Sequence, residues 1–336
     1  MTAEVITRHT TSGGVRIYRI PVQVFPLLTA QVHVVVAGDY VALIDTGSGL
    51  GQSDPQLRAG FAALQSDWGE RFTWSDLSRI VITHAHIDHY GGLRGVRELT
   101  TAPIAVHALD RRVLTNHTER LTVATYALTD YLRRAGVPAE QHAQLIQMYG
   151  WSKEVFSSVD VATVIEEGDR LDDLFQIYHV PGHCPGQVCL MIEDILLTAD
   201  HVLPRTALFL APESITHSTG VEHYLRSLKA ISRVEGVRLA LGGHEEPIDD
   251  FYACVERCEM LQRQRIERVR EICREPRTIS EITKAIYPGL MGYDGFLAIQ
   301  KTGAYVEYLD DRGELAIANL SEVAADPNVA PRYRCL

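Results

Sequence analysis

Alternating and β-branched apolar positions open the chain and predict a group of strands. Residues 15–24 alternate between apolar and polar, and residues 31–37 and 40–44 are rich in valine, alanine and isoleucine. Gly38-Asp39, between the latter two segments, suits a hairpin turn. Further strands are predicted at 80–83, 104–107, 176–180, 188–192, 195–198 and 239–242, and helices at 56–65, 93–99 and 221–234. Strands that alternate with helices predict an α/β layered architecture.

A helical segment interrupts this series of strands between about residues 108 and 158. Its apolar residues recur at helical spacing, as Leu121, Ala124 and Leu128 do. We interpret this segment as a helical insertion in the α/β domain. It carries aromatic side chains that could contact a substrate, although aromatics at helical spacing are more often part of a core. These aromatics are Tyr126, Tyr131, Tyr149 and Trp151.

The carboxy-terminal part of the chain has a different pattern. A long charged helix is predicted at 251–274, a short capped helix from Thr278 with Glu281 as its capping partner, and another helix at 293–309. A turn at 310–314 precedes an apolar strand at 315–318. Three helices and a short hairpin would form a small winged-helix-like domain. The predicted division is therefore 1–250 for the α/β domain and 251–336 for a helix plus this small domain.

Composition narrows the class of protein. The 336 residues are 46% hydrophobic and 22% charged, which is typical of a globular protein with a sizeable core. The net charge of -11 argues against broad attraction to nucleic acid or to anionic membranes. The amino terminus lacks the pattern of a signal peptide, and no apolar run reaches the roughly 20 residues of a membrane span. Six scattered cysteines favour a reducing compartment, so we expect a cytoplasmic protein in which Cys254 and Cys258 pack in the core.

The strongest chemical signal is the run His-Ala-His-Ile-Asp-His at 84–89, which directly follows a predicted strand. Imidazole and carboxylate groups at this density suit zinc, iron or manganese. In an extended loop alternate side chains point the same way, so His84 and His86 can hold one ion while Asp88 and His89 turn towards a second. Taken alone, the run could also be a structural zinc site or a chance cluster.

Three later residues also lie near the ends of predicted strands. His183, Asp200 and His244 each stand at or just after the end of a predicted strand and are flanked by small residues. Small neighbours let the backbone approach a ligand closely. The pattern indicates a site assembled along one edge of a sheet.

These residues resemble the metallo-β-lactamase fold superfamily. Its HxHxDH signature is matched at 84–89, its later single ligands are matched in order by His183, Asp200 and His244, and its IDTG element is matched at 44–47. The resemblance covers about residues 15 to 246. It implies a four-layer αββα sandwich with two metal ions in a shallow groove at one edge of the sheets.

The resemblance also implies a role for each matched position. The implied ligands are His84, His86 and His183 for the first ion, Asp88, His89 and His244 for the second, and Asp200 bridging the two. Asp45 would orient the ligand loop, although it could equally be an ordinary turn aspartate before Thr-Gly. Zinc is the expected metal, with iron or manganese as alternatives.

The chain departs from the family pattern after His183. Many relatives carry Thr and a second His where this chain has Cys184 and Gln187. Neither position is an expected ligand, so we expect Cys184 to be a buried or supporting thiol. The metal site should persist, while the wall of the groove could differ.

The implied activity is hydrolysis by a hydroxide that bridges two metal ions, with Asp88 and Asp200 as the catalytic carboxylates. A carboxylic ester, thioester or lactone is the favoured small-molecule substrate. A phosphodiesterase or endoribonuclease is the alternative, and an iron-dependent oxidoreductase of the same fold is a further one. The sequence does not choose firmly among these, because members of one fold carry different chemistries.

The tail at 263–320 resembles that of the β-lactamase-like-protein-2 group, which includes an endoribonuclease. Its second long helix, 293–309, contains Lys301 as its only base, against Asp294 and Glu307. A helix that reads a duplex should be basic. We therefore expect packing or homodimer formation here rather than binding to nucleic acid.

Overall fold

The computed structural model describes residues 5–151, 153 and 156–336. Its strands are β1 (Thr7–Thr10), β2 (Arg16–Phe25), β3 (Leu28–Ala37), β4 (Tyr40–Ile44), β5 (Arg79–Ile82), β6 (Ile104–His107), β7 (Thr163–Ile165), β8 (Arg170–Leu171), β9 (Phe175–His179), β10 (Val188–Ile192), β11 (Ile195–Ala199), β12 (Leu239–Gly242), β13 (Leu315–Ile317) and β14 (Tyr333–Cys335). Its helices are α1 (Ser53–Ser66), α2 (Ile87–Tyr90), α3 (Leu93–Arg97), α4 (Arg111–Thr115), α5 (His117–Arg134), α6 (Ala139–Trp151), α7 (Val221–Ile231), α8 (Phe251–Ile272), α9 (Ile279–Ile286), α10 (Gly292–Asp311) and α11 (Leu320–Ala325).

Two mixed sheets form the centre of the molecule. The first has seven strands in the order β1 to β7, antiparallel as far as β4 and parallel from β4 onwards. The second has five strands in the order β12, β11, β10, β9, β8, with only β11 and β12 parallel. In the first sheet Ala37 pairs with Tyr40, which confirms the predicted two-residue hairpin turn at Gly38-Asp39.

Because successive side chains of a strand point to opposite faces of its sheet, the apolar core is divided into three layers. One face of each sheet contributes to a shared cluster, in which Val35 and Ile44 from the first sheet join Phe175 and Leu190 from the second. The other face of the first sheet packs with α1 and α3. The other face of the second sheet packs with α5, α7, α8, α9 and α10. The two sheets thus face each other, with helices on both outer surfaces.

The predicted helical insertion contains α4, α5 and α6. Tyr131 of α5 is buried, and its hydroxyl donates to the backbone oxygen of Ile299 in α10 at 2.8 Å. One apolar cluster therefore includes the insertion, the second sheet and the carboxy-terminal helices. The division at residue 250 stays a prediction.

The carboxy-terminal segment contains the three predicted helices, α8 to α10. Thr278 and Glu281 form the predicted capping box, since each side chain accepts the other residue's backbone N–H at 3.2 and 2.8 Å. The strands β13 and β14 pair, but α11 lies between them instead of a short hairpin. The run Ser-Glu-Val-Ala-Ala favours helix at that point. The winged-helix assignment is not confirmed.

Two observations bear on the expectations from composition. Cys254 and Cys258 are free and buried in the core, as predicted. Within the described residues, none of the helices combines the length and apolar character needed to cross a bilayer.

Candidate metal centre

The histidine motif is part loop and part helix. His86 is still extended, with φ -96° and ψ 144°, and the chain then turns into α2 at residue 87. The prediction of a continuous loop was wrong here, because a four-residue helix leaves no periodic signal in the sequence. The turn of helix places His89 beside His84, with ring centroids 4.1 Å apart, while His86 faces His183 at 4.3 Å.

The later candidates come from neighbouring strands of the second sheet. His183 lies on the turn between β9 and β10, Asp200 directly follows β11, and His244 follows β12. The backbone N–H of Val188 donates to the oxygen of Thr83 at 3.0 Å, so the start of β10 is tied to the residue before the histidine motif. This bond places the ends of strands from both sheets at one edge of the sandwich.

The structure brings together all seven residues that the sequence singled out. The ligand atoms lie within 4.8 Å of one another in each of three groups: His84, His86 and His183; Asp88, His89 and His244; and His84, His89 and Asp200. The Asp200 Oδ2 lies 3.5 Å from Nε2 of His183 and 3.4 Å from Nε2 of His244. Asp200 therefore stands between the two three-residue groups.

Three imidazoles are oriented by a bond at Nδ1. His89 is bonded to Oδ2 of Asp45 at 2.8 Å, His183 to the oxygen of Phe209 at 2.7 Å, and His244 to the oxygen of Thr29 at 2.7 Å. Each acceptor holds a proton on Nδ1, so Nε2 is the atom left to face a metal ion. Such an outer contact is the usual companion of a metal-bound histidine.

The inward-facing atoms of the cluster have no hydrogen-bond partner among the described residues. These buried atoms are Nε2 of His84, His89 and His183, and Oδ1 of Asp200. A buried polar atom without a partner is costly, and native proteins rarely leave several in one place. Imidazole nitrogen and carboxylate oxygen are good ligands for a divalent transition metal. The donor set thus fits the divalent metal ions that the fold implies.

Electrostatics keep most of the cluster in the protonation states that metal binding needs. Burial, and after it the imidazole of His183, lower the pKa of His86 to about 3, so His86 is neutral. Burial alone would raise the pKa of Asp88, but His89 and His244 outweigh it and hold the carboxyl below its usual range. Burial would lower the pKa of His244, but chiefly Asp200 raises it to about 10. A metal ion therefore has to displace a proton from His244.

Asp45 holds the histidine motif in place through hydrogen bonds. Its carboxylate accepts the N–H and the hydroxyl of Thr83, both at 2.8 Å, as well as Nδ1 of His89. Its backbone is left-handed, with φ 62°, a conformation that aspartate and asparagine tolerate better than most residues. Asp45 is thus both the turn residue and the support of the ligand loop, which were the two interpretations left open by the sequence.

Asp110 is a functional candidate that sequence reasoning missed. This buried carboxylate, three residues after β6, accepts the N–H of Ala85 at 2.8 Å, the N–H of Gly186 at 2.9 Å and the thiol of Cys184 at 3.3 Å. A lone aspartate in a segment assigned to the insertion carried no motif. Its position just beyond a strand, which it shares with the ligands, was the signal that could have found it.

Gln187 and Gly243 determine the position of Asp200. With its amide oriented so that the oxygen faces donors, Gln187 accepts the N–H of His201 at 2.6 Å and that of Asp200 at 3.1 Å. The departure from the family pattern at Gln187 thus secures the turn that carries Asp200. A Cβ at Gly243 would lie 2.5 Å from Oδ1 of Asp200 and 2.8 Å from Cε1 of His89. Only glycine permits this close approach.

Comparison with known proteins agrees with this geometry. Residues 26–244 match the family model described as the metallo-beta-lactamase superfamily. The probable metallo-hydrolase YqjP of Bacillus subtilis (strain 168) is 25% identical over 317 residues, which cover 89% of this chain and 93% of that protein. The acyl-coenzyme A thioesterase MBLAC2 of Homo sapiens is 27% identical over 196 residues, which cover 55% of this chain and 62% of that protein.

A solved structure supports the fold over nearly the whole chain. The metallo-beta-lactamase family protein TTHA1429 from Thermus thermophilus superposes with a TM-score of 0.76 at 22% sequence identity, covering 95% of this chain and 98% of that one. The matched family model spans most of both sheets and every candidate ligand. The chain therefore belongs to the metallo-β-lactamase superfamily and is a metal-dependent hydrolase.

Proposed function

We propose that this hydrolase is binuclear and cleaves the carbonyl bond of a thioester, carboxylic ester or lactone. The observation that carries the proposal is the position of Asp200 between two groups of three ligand atoms. A site for one ion would need only one such group. The groups also share no member, so each can complete its own coordination.

The residues assigned to each ion follow the geometry. His84, His86 and His183 would hold the first ion, Asp88, His89 and His244 would hold the second, and Asp200 would contribute to both. Two divalent ions supply Lewis acidity and bring the pKa of a bound water towards neutrality. Zinc suits this nitrogen and oxygen donor set, and iron or manganese would also fit it.

Asp88 and Asp200 have different roles in the reaction, and Asp88 is the one that transfers a proton. Asp88 is partly exposed and ionised, and its Oδ2 lies 3.5 Å from Nε2 of His244. It orients the attacking water and accepts a proton as the water oxygen bonds to the carbonyl carbon. The C–S or C–O bond then breaks, and the leaving thiolate or alkoxide takes up that proton. Asp200, buried between the groups, keeps its charge throughout.

A thioester is the first substrate class to test. The similarity to an acyl-coenzyme A thioesterase supports it, although the aligned region spans only 62% of that relative. A phosphodiester of a nucleic acid is less well supported, because the net charge of -11 repels polyanions.

The first experiment is metal analysis by plasma emission spectrometry on protein purified without added metal. Thioester, ester and phosphodiester reporters are assayed on the same sample. We expect about two zinc or manganese ions per chain and cleavage of the thioester. His86→Ala and Asp200→Ala should lose metal and activity, whereas His217→Ala, which removes an exposed histidine, should lose neither. One iron per chain without hydrolysis would overturn the proposal and favour redox chemistry.

A further inference from the structure

The segment after α6, at the end of the helical insertion, is attached to the loop that carries the histidine motif. Nε2 of His117 donates to the backbone oxygen of Lys153 at 2.8 Å, and its Nδ1 lies 3.5 Å from the hydroxyl of Tyr90. Tyr90 directly follows the candidate ligand His89. Phe156 packs edge-on against Tyr90, with ring centroids 4.6 Å apart. Lys153 is therefore held beside the groove by the same elements that shape the histidine motif.

Among the described residues, the ammonium of Lys153 has no negative partner. It lies over the ring of Tyr149, 4.1 Å from the centroid, and donates to the Tyr149 backbone oxygen at 3.5 Å. Within the described part of the chain, no carboxylate forms an ion pair with it. Burial lowers the pKa of Lys153 to about 8, while the charge of Asp88 acts to raise it. The ammonium thus remains largely charged at neutral pH, and the carboxylate of Asp88 is the charge that acts on it.

The ring of Tyr149 connects this cation to further aromatic side chains. Tyr149 contacts Phe296 of α10, which in turn contacts Tyr293, with centroids 6.3 and 6.1 Å apart. Trp151, two residues before Lys153 in the chain, is 68% exposed, and Met291, at the start of α10, is 84% exposed. A cation on an aromatic ring, with exposed apolar side chains on the neighbouring helices, matches a ligand that is apolar with one negative group.

We propose that Lys153 is a specificity-determining residue that binds a carboxylate located a few bonds from the scissile carbonyl of the substrate. The inference rests on the proposed function for the bond that is cleaved. A desolvated cation without a counter-ion is costly in a folded protein, and a substrate anion would remove that cost. It would also offset the repulsion that Asp88 exerts on an anionic substrate. The exposed apolar surfaces would contact the rest of the acyl compound.

A matched pair of thioesters tests this assignment. S-acetyl-3-mercaptopropionate carries a carboxylate where S-acetyl-3-mercaptopropionamide carries a neutral amide of the same shape. In the metal-loaded enzyme, Lys153→Met should raise KM for the carboxylate about 10-fold or more, as loss of a charged hydrogen bond does. The same variant should change kcat/KM for the amide by less than about 2-fold. Lys153→Arg should restore much of the preference, and Lys229→Met, an exposed lysine, is the matched control.

A binding measurement separates this inference from the proposed function. The ketones 5-oxohexanoate and 5-oxohexanamide replace the sulfur by a methylene and cannot be hydrolysed, and their binding is followed by ligand-observed NMR. Tighter binding of the carboxylate that disappears in Lys153→Met supports the inference, even if neither thioester is cleaved and the hydrolytic proposal fails. Equal binding of both ketones to the wild type, or an equal loss of both in the variant, would overturn it. An equal fall in kcat on both thioesters would also overturn it, since Lys153 would then act outside recognition.

Discussion

The thiol of Cys184 donates to Oδ2 of Asp110 at 3.3 Å, which joins two loops that are distant in sequence. The same carboxylate accepts the N–H of Ala85 and the N–H of Gly186. Ala85 belongs to the histidine motif, and Gly186 belongs to the turn that carries His183. Asp110 therefore fixes the spacing between the ligands assigned to the first ion, although it holds no metal itself.

Replacing Asp110 by Asn should weaken the first metal site. The amide keeps the volume of the carboxylate but presents an NH₂ group to at least one of the three donors. We expect metal affinity to fall about 10- to 100-fold, the usual effect of losing an outer contact to a ligand. Competition with a chromophoric chelator measures this change. Cys184→Ala keeps both backbone bonds and should weaken binding much less. Equal affinity in the wild type and Asp110→Asn would contradict the assignment.

Asp45→Asn should act on the second ion through His89. Asparagine tolerates the left-handed backbone at this position, so the turn should survive. Nδ1 of His89 would lose its charged acceptor at 2.8 Å, and the imidazole would become a weaker and less well-oriented ligand. The expected loss of affinity is again about 10- to 100-fold, seen as one ion lost on dialysis while the other stays. Thr83→Val, which leaves the contact between Asp45 and His89 intact, is the control, and an unchanged metal content in Asp45→Asn would refute the role.

The strands and the metal cluster could be predicted because their signals are local. Valine-rich alternation marks a strand within a few residues, and each candidate ligand stands near a strand end. The short helix α2 and the role of Asp110 could not be predicted in this way. A four-residue helix has no period, and a carboxylate that bonds backbone groups of two remote loops is recognisable only once those loops meet. The same holds for Lys153, whose position depends on the packing of α6 and α10.

The carboxy-terminal helix α10 contacts a loop that orients His183 of the metal site. Nζ of Lys301 donates to the backbone oxygen of Ala207 at 2.7 Å, and two residues later the oxygen of Phe209 accepts Nδ1 of His183. The lone base of this helix is therefore engaged in packing within the chain.

Lys301 should make stability depend on pH in the neutral to alkaline range. Burial lowers its pKa to about 7, with a further contribution from Arg265, whereas an unfolded lysine titrates near 10.4. Between these values the unfolded chain binds more protons than the folded one, so the free energy of unfolding rises with pH from about 7 to about 10. Lys301→Met removes this contribution. Urea unfolding across that range should show a shallower rise in the variant, while Lys229→Met should keep the wild-type slope. Parallel curves for the wild type and Lys301→Met would disprove the prediction.

The shared core predicts that the α/β domain and the carboxy-terminal segment unfold together. Leu309 of α10 is fully buried in the cluster that also contains Leu132 of α5 and Leu196 of β11. The three tryptophans, Trp68, Trp74 and Trp151, all precede residue 250, so their fluorescence reports only on the first part of the chain.

Leu309→Ala should destabilise the protein by about 2–5 kcal/mol, the usual cost of a large cavity in a core. If the core is one cooperative unit, the fluorescence transition and the far-UV circular dichroism transition will shift together in urea. Leu320→Ala, at an exposed position, should shift neither. Should the fluorescence transition stay in place while the circular dichroism transition moves, the chain would contain two independent domains divided near residue 250. Coincident shifts would mean instead that the carboxy-terminal helices belong to the structural unit that positions the metal ligands.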